Sequence, residues 1–438
     1  MSPSATARTR HASRLTAALG AAVVGAALLQ SPPASAAPSP PGNTVRFAQF
    51  NASLNRTAEG QLAADLSAPG NAQAAAVAEI IQRVRPDVIL INEFDFDPAG
   101  TSLRLFQENY LSVSHNGSEP ISYPYRFAAP SNTGIASGFD LNNNGTVVTT
   151  PGAPGYGDDA LGFGSYPGQF GMAVYSMYPI DVADVRTFQQ FRWKDMPGAL
   201  LPDDPATPAP ADWYSPAELD VLPLSSKSHW DLPISIGKRT VHFLVSHPTP
   251  PVFDGPEDRN GRRNFDEIRF WADYVTPGDA GYIYDDEGGT GGLDPGASFV
   301  IAGDQNSDPL DGDSIPGSIQ QILENPRVNT SETPTSEGGV WAAETQDALN
   351  LQHRSDPAAD TADFCDTAAF PPCSGPGNLR TDYVLPSSDL RIWNSGIFWP
   401  TDEDPFFYLT GPGFPVPSSD HRLVWVDVKV PGASSPAR

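Results

Sequence analysis

Asp304 and Asn306 stand two residues apart, directly after the apolar run Phe299-Val300-Ile301-Ala302-Gly303. A carboxylate and an amide oxygen at that spacing suit a hard cation or an attacking water. The run Ser298–Ala302 reads as a buried strand, and Gly303 is expected to let the chain turn at its end. In open α/β sheets ligands sit at the carboxyl ends of strands, so both polar residues are expected to face a site. An Asx-turn closing the strand would use the same residues without any chemistry. Repetition weighs against that reading. Asn51, Glu93 and His247 each follow an apolar run, Asp420 and His421 precede one, and Asp382 opens another.

The elements that must place these residues are legible from periodicity. Thr44–Phe50 reads as a first strand ending at Asn51. Asn71 to Arg85 carries Ala74, Val77, Ile80, Ile81 and Val84 at helical spacing, and Pro86 ends it. Asp87–Asn92 reads as a strand, Ser102–Val113 as a second helix, and Gly171–Ser176 as another strand. Leu232–Ile236 and Arg239–Ser246 form a hairpin around Gly237-Lys238. Phe265, Ile268, Trp271, Ala272 and Val275 share one face of a helix over Asn264–Val275. Ile315–Leu323 reads as a short helix. Thr381–Leu385, Leu390–Ile392 and Leu423–Val430 read as strands. Residues 131–168 and 195–226 are rich in Gly, Asn and Pro and read as two loop insertions.

Hydrophobic residues are 39% and charged residues 18% of the 438, so the chain is globular rather than disordered. Arg8, Arg10 and Arg14, the apolar run Leu15–Leu29 and the small-residue site Ala34-Ser35-Ala36 read as an export signal over residues 1–36. The run is too short for a good membrane span, and no adjacent Arg pair is present, so the general secretory route is expected. The mature protein is therefore expected to be secreted, without stable membrane insertion, after cleavage near Ala36. Residues 37–43 read as a Pro-rich lead-in, 44–431 are expected to form one domain, and 432–438 a tail. Cleavage removes three Arg and no acid, so the net charge goes from −26 to −29. That acidity argues against simple electrostatic capture of nucleic acid, although a nuclease that recruits its substrate through a bound cation stays open. Cys365 and Cys373 are the only cysteines. In an exported protein they are expected to pair as a loop staple, worth roughly 2–3 kcal/mol in the chain-entropy picture.

The order and wording of the polar strand ends resemble the endonuclease/exonuclease/phosphatase superfamily, which includes deoxyribonucleases, inositol polyphosphate 5-phosphatases and bacterial sphingomyelinases. The matching pieces are Gln49-Phe50-Asn51, Ile91-Asn92-Glu93, Leu244-Val245-Ser246-His247, Gly303-Asp304-Gln305-Asn306, Thr381-Asp382-Tyr383-Val384-Leu385 and Ser419-Asp420-His421. They run from Gln49 to His421, inside residues 45–430. Any one is weak; all six in order are specific. The resemblance implies a four-layer α/β sandwich, two packed mixed β-sheets flanked by helices. It implies a hydrolase of phosphate esters that uses a divalent cation, Mg²⁺ or Mn²⁺ in the first place and Ca²⁺ in the second. Glu93 would be the main metal ligand, with Asn51 and Asp420 beside it. Asp304 and Asn306 would orient or deprotonate the attacking water, or hold a second metal. His421, held by Asp382, would bind phosphoryl oxygens. His247 would stabilise charge on the phosphate or help the leaving oxygen depart. Two departures from the family, Asn92 where Gln is common and Met177 where a basic residue is common, bear on the substrate more than on the reaction.

Further features lie outside that pattern. Arg259, Arg262 and Arg263 follow a Pro-rich loop that starts at His247, and could clamp a second anionic group or pair with nearby acids. Lys227 and His229, with Trp230, could line a pocket or sit in a solvated loop. Asp140, Asn142 and Asn144 match the start of a Ca²⁺ loop, with Pro151 where the last ligand should be. Asp308, Asp311 and Asp313 could add a cation or serve as turn residues. Phe398-Trp399 and Phe406-Phe407-Tyr408 are available to a lipid surface or to the core. The substrate readings are thus a general phosphate ester, nucleic acid, or a phospholipid. A surface-binding protein that kept the scaffold without catalysis is the remaining class. Nothing in the sequence sets the oligomeric state.

Overall fold

Two β-sheets pack face to face and bring the polar strand ends to one edge. The computed structural model describes residues 42–347, 349–365, 373, 375–411 and 416–433. The export signal expected over residues 1–36 lies outside them. The strands are β1 (Thr44–Asn51), β2 (Val88–Asn92), β3 (Tyr125–Phe127), β4 (Met172–Ser176), β5 (Arg186–Thr187), β6 (His229–Ile236), β7 (Arg239–Ser246), β8 (Ser298–Asp304), β9 (Ala362–Phe364), β10 (Gly377–Leu379), β11 (Asp382–Pro386), β12 (Arg391–Phe398) and β13 (Leu423–Lys429). One sheet runs β12-β13-β1-β2-β4-β3, the other β11-β8-β7-β6-β5, and β9 and β10 form a small ribbon. Both large sheets are mixed. β1 is parallel to β2, β7 is parallel to β8, and their other pairings are antiparallel.

The period-2 alternation of the strands decides what each face covers. On β7, Val241, Phe243 and Val245 point between the sheets, where Phe243 meets Phe47 of β1 at 5.5 Å. Leu244 points the other way, into a second core with Ile268, Trp271 and Val275. β8 divides likewise, with Val300 and Ala302 inward and Phe299 and Ile301 outward. The outer layers are helices. Ala72–Val84 covers the first sheet with Val77, Ile80, Ile81 and Val84, and Arg259–Val275 covers the second. The four layers follow from these two amphipathic helices on two sheets.

Several elements differ from the sequence reading. β8 runs on to Asp304, so Gly303 is not a turn. It pairs with Tyr383 on β11, and a Cβ there would meet Ser246 O at 2.2 Å. Its small size lets β7 and β8 close up beside the site. The helix expected from Asn264 starts at Arg259, so the basic cluster lies in its first turns. The second helix is an α-helix, Thr101–Phe106, continued by a π-turn to Leu111. The helix read over 315–323 is confined to Gln320–Leu323, and the strand at 390–392 lengthens to Phe398. Segments 131–168 and 195–226 are irregular apart from short helical turns at Tyr156–Asp159 and Pro216–Leu219. Cys365 and Cys373 are bonded. Trp399 is buried, and Phe398 and Phe406 pack on the first core. Among the described residues no helix is long and apolar enough to cross a membrane.

Arg46 and Asp427 pair within the first sheet, both side chains 1% exposed, through bonds of 2.8 Å from Nε and Nη2. The guanidinium also donates to Val84 O and lies 4.0 Å from the Trp425 ring centroid. Removing one partner of such a pair strands the other without water. Arg46→Ala should therefore destabilise the fold by about 3–5 kcal/mol, measurable by denaturant unfolding.

Candidate active site

Each polar strand end arrives with its own scaffolding. β1 and β2 run parallel and in register, with Asn51 opposite Asn92. Asn92 ties the two sheets together: its Oδ1 accepts from Gln49 Nε2 at 2.9 Å and from the Asp304 amide at 3.1 Å, and its Nδ2 donates to Ser246 O at 3.3 Å. Gln49 Nε2 also donates to Asp382 Oδ1 at 2.9 Å. Asp382 stands directly across from Asp304 in the β8–β11 pairing. Glu93 and Asn306 follow their strands with φ of 58° and 50°, the left-handed conformation that non-glycine residues adopt at a cost. Both tight exits point back toward one cleft, where their side chains meet those of the neighbouring strands.

The cleft holds a chain of acidic and imidazole groups. His421 Nδ1 contacts Asp382 Oδ2 at 2.8 Å, and its Nε2 lies 3.7 Å from Asp304 Oδ2. The same Asp304 oxygen is 3.4 Å from His247 Nε2 and accepts from Asn51 Nδ2 at 3.0 Å. Asp382 is further held by Thr361 Oγ1 at 2.8 Å. Burial would strip the proton from His421, but Asp382 and Asp304 reverse that and hold the imidazole cationic well above its usual range. Burial would raise Asp304, but His421 and His247 outweigh it and hold the carboxyl well below the usual carboxylate range. Burial, with Lys227 adding to it, pushes His247 down to about 4, so this imidazole is neutral. Two equally buried histidines on one carboxylate thus carry different charges, because His421 faces Asp382 as well as Asp304 while His247 faces Lys227.

Asp304, Asp382 and His421 offer donor atoms within 4.8 Å of one another, a spacing that would suit a metal. With His421 Nδ1 on Asp382 at 2.8 Å the three form an ion-pair chain. The oxygen-rich side of the cleft fits a hard cation better. There, Glu93 accepts from Asn51 Nδ2 at 3.2 Å and Asn55 Nδ2 at 2.8 Å. Burial, and next the Asp420 carboxylate, pushes Glu93 up to about 7. Two acids that resist sharing charge are what a divalent cation relieves. Asn51 presents Nδ2, not Oδ1, to Glu93 and to Asp304. As a cation ligand it would have to turn its amide over. Asn306 donates its backbone amide to Asp304 Oδ1 at 2.9 Å and Nδ2 to Pro248 O at 3.2 Å.

The residues outside the family pattern divide. Lys227 lines a cavity beside Glu93 and His247. Burial lowers its ammonium, while Glu267, Glu93 and Asp304 oppose the fall. His229 instead sits in the core, 4.8 Å from Phe270 and 5.0 Å from Trp271, with Nε2 on Glu267 O at 2.9 Å. Arg263 spends its guanidinium on the carbonyls of Leu224, Leu161 and Pro223 at 2.8, 2.7 and 3.0 Å. Arg259 pairs with Glu257, and Arg262 is half-buried outside the cavity wall. Asp140 and Asn142 accept from the Asn144 amide, Asp140 also from Gly145, and Asn144 from Thr146. That is a turn closed on its own backbone.

Sequence reasoning missed Asn264 and Glu267. Asn264 Nδ2 donates to Thr249 O at 2.8 Å and Gln305 O at 2.9 Å, and Glu267 accepts from the amides of Ser226 at 2.7 Å and Thr249 at 2.6 Å. They hold the chain on either side of Lys227 and His247 in place. Their signal was two polar residues three apart, two turns and one turn before Trp271, on the buried side of a helix.

Asp360 lies behind the cleft, 2% exposed, and among the described residues its Oδ1 has no hydrogen-bond partner. Burial, and then Asp308, Asp311 and Asp356, push its carboxyl up to about 9. The folded protein therefore keeps a proton that the unfolded chain releases, and stability falls as pH rises from the ordinary carboxylate value toward 9. Asp360→Asn should melt about 3 °C or more above the parent at pH 8 and match it near pH 4.

A profile described as the Endonuclease/Exonuclease/phosphatase family matches residues 48–421. No curated protein matches the chain. Among solved structures, it is similar to an endonuclease/exonuclease/phosphatase from Beutenbergia cavernae (14% identity, 89% of this chain and 72% of that one, TM-score 0.43). It is also similar to sphingomyelinase C from Streptomyces griseocarneus (13%, 88% and 99%, TM-score 0.43) and to truncated TDP2 from Caenorhabditis elegans (13%, 88% and 98%, TM-score 0.39).

Proposed function

The chain belongs to the endonuclease/exonuclease/phosphatase family, whose members are metal-dependent phosphoester hydrolases, and on that premise we propose that it cleaves a phosphodiester or phosphomonoester by attack of water on phosphorus. The observation that supports this most is the single carboxylate, Asp304, held between a cationic and a neutral imidazole at one end of the sandwich.

A divalent cation, Mg²⁺ or Mn²⁺ in our reading, would be held by Glu93 with Asp420 and Asn51, and would offset charge on the phosphoryl oxygens. The protein's own groups do the rest. His421, fixed by Asp382, donates from Nε2 to a phosphoryl oxygen. Asp304 accepts a hydrogen bond from the attacking water and aligns it, with Asn306 alongside. Lys227 adds a second positive group on the cavity side. Neutral His247 donates to the phosphate or to the leaving oxygen from one ring nitrogen. The water oxygen bonds to phosphorus, the phosphorus–oxygen bond to the alcohol breaks, and the proton the water loses balances the proton the alcohol gains.

Side-by-side hydrolysis of bis-p-nitrophenyl phosphate, p-nitrophenyl phosphate and plasmid DNA, with Mg²⁺, Mn²⁺ or Ca²⁺, tests this reading. Metal-dependent release from at least one ester is expected. Turnover of none of them with any metal would count against it.

We further propose that the protein is exported. The basic start, apolar run and small-residue site of residues 1–36 support it, and the Cys365–Cys373 disulfide accords with an oxidising compartment. Residues 1–40 fused to a reporter should carry it out of a bacterial cell with cleavage near Ala36. A reporter that stays inside with its leader intact would contradict export.

A further inference from the structure

A cavity of about 520 Å³ opens beside the catalytic groups, with Glu93, His247 and Lys227 at its inner end. That volume is the size of a small-molecule site. Most of its apolar wall comes from segments that carry no regular structure, and the first turns of the helix Arg259–Val275 add Arg259, Asn260 and Arg263. Leu141 and Phe163 come from residues 131–168, Tyr214 and Leu222 from 195–226, and Val252 and Phe253 from the loop after His247. Two of these side chains are costly where they stand. Phe163 is 63% and Phe253 87% exposed. Phe253 also has φ of 68°, a conformation aromatic residues rarely adopt. Exposed aromatics at the mouth of a cavity, one held against its backbone preference, mark a surface kept for contact rather than for folding.

The cations along the wall are largely spent. Arg263 is bound to three backbone carbonyls and Arg259 to Glu257. Among the described residues Lys227 has no hydrogen-bond partner for its ammonium, and it lies at the inner end beside Glu93 and His247, where the phosphate would be. The outer cavity is therefore lined mainly by apolar side chains, with the Asp158 carboxylate among them, and both guanidiniums on its wall are already engaged. A polymer with a phosphate at every step would set its flanking charges against these walls and an acidic surface.

We propose that the substrate is a small phosphate ester with one apolar substituent, aryl or alkyl, seated in this cavity between Phe163, Tyr214 and Phe253 while its phosphate meets Lys227, His247 and His421. This rests on the phosphoesterase reading above and narrows it to a substrate class. The cavity sets specificity through the substituent, and the strand-end groups act on the phosphate.

The test is calorimetric binding of phosphonates, which keep the charged group but cannot be hydrolysed, in the presence of Mg²⁺. Methylphosphonate, benzylphosphonate and octylphosphonate below its micelle concentration are compared. Benzyl- or octylphosphonate should bind about 10-fold or more tightly than methylphosphonate, from burial of the substituent. Whichever of the two is preferred tells an aryl ester from a lipid-like one. In Phe163→Ala/Phe253→Ala the preference should shrink toward unity. Both side chains are exposed, so the fold should survive, which circular dichroism checks. Equal binding of all three phosphonates would overturn this proposal and leave the phosphoesterase reading intact. Binding of none would overturn both. A preference unchanged in the double variant would place the substituent elsewhere.

Discussion

Asp304→Asn should lower hydrolysis of the best ester substrate about 1,000-fold or more, with the protein still folded. Asp304 is the acceptor on which His247, His421 and Asn51 converge. An amide of the same shape has one oxygen where the carboxylate has two, and no charge. It can neither hold His421 cationic from the Nε2 side nor align a water as strongly. The loss should fall on kcat more than on KM, because the water and the charge matter in the transition state. The carboxylate is held below its usual range and so stabilises the fold when ionised, and a lower melting temperature is expected at neutral pH. His421 keeps Asp382 at 2.8 Å, so the variant should still fold. Near-parental kcat in a folded Asp304→Asn protein would remove this residue from the mechanism.

The second large effect is on the cation side. Glu93→Gln should raise the Mg²⁺ or Mn²⁺ concentration for half-maximal activity about 100-fold or more, since even outer-shell partners of a metal ligand cost 10–100-fold. The structural ground is the position of Glu93 between Asn51, Asn55 and Asp420. A carboxyl pushed up by burial and a neighbouring acid gains most from a divalent ion. Titrating the metal at saturating substrate separates this from a general loss. If Glu93→Gln lost kcat but kept the parental metal requirement, the cation would have to be placed elsewhere in the cleft.

Much of this site was readable from the sequence because strand ends are local. An apolar run with period 2, closed by Glu93 or His247, places its last side chain without knowledge of the partner strand. The family pieces then supplied the order. What packing decides was not readable. Gly303 looks like a turn residue, but it sits in a strand because Ser246 O lies where its Cβ would be. Helix Glu337–Gln346 was missed because Gly338 and Gly339 erase its amphipathic pattern. A Cβ on either would meet a backbone oxygen, of Trp399 at 2.0 Å or Pro357 at 2.2 Å. The basic cluster looked like a loop because helix Arg259–Val275 starts from Asp258 at φ 52° without a side-chain cap. Asn264 and Glu267 declare their role only once Thr249 and Ser226 are seen beside them. The cavity draws on three irregular segments that share no periodicity, so nothing in any one of them announced it.

The central claim is that the strand-end groups form a metal-dependent hydrolytic site. Its most direct test is release of p-nitrophenol from bis-p-nitrophenyl phosphate by residues 37–438, stripped with chelator and then given Mg²⁺ or Mn²⁺, beside folded Asp304→Asn protein treated identically. The account predicts no release after stripping, restored release on adding metal, and a flat trace from Asp304→Asn throughout. Equal turnover by the two proteins, or turnover that survives the chelator undiminished, would contradict it.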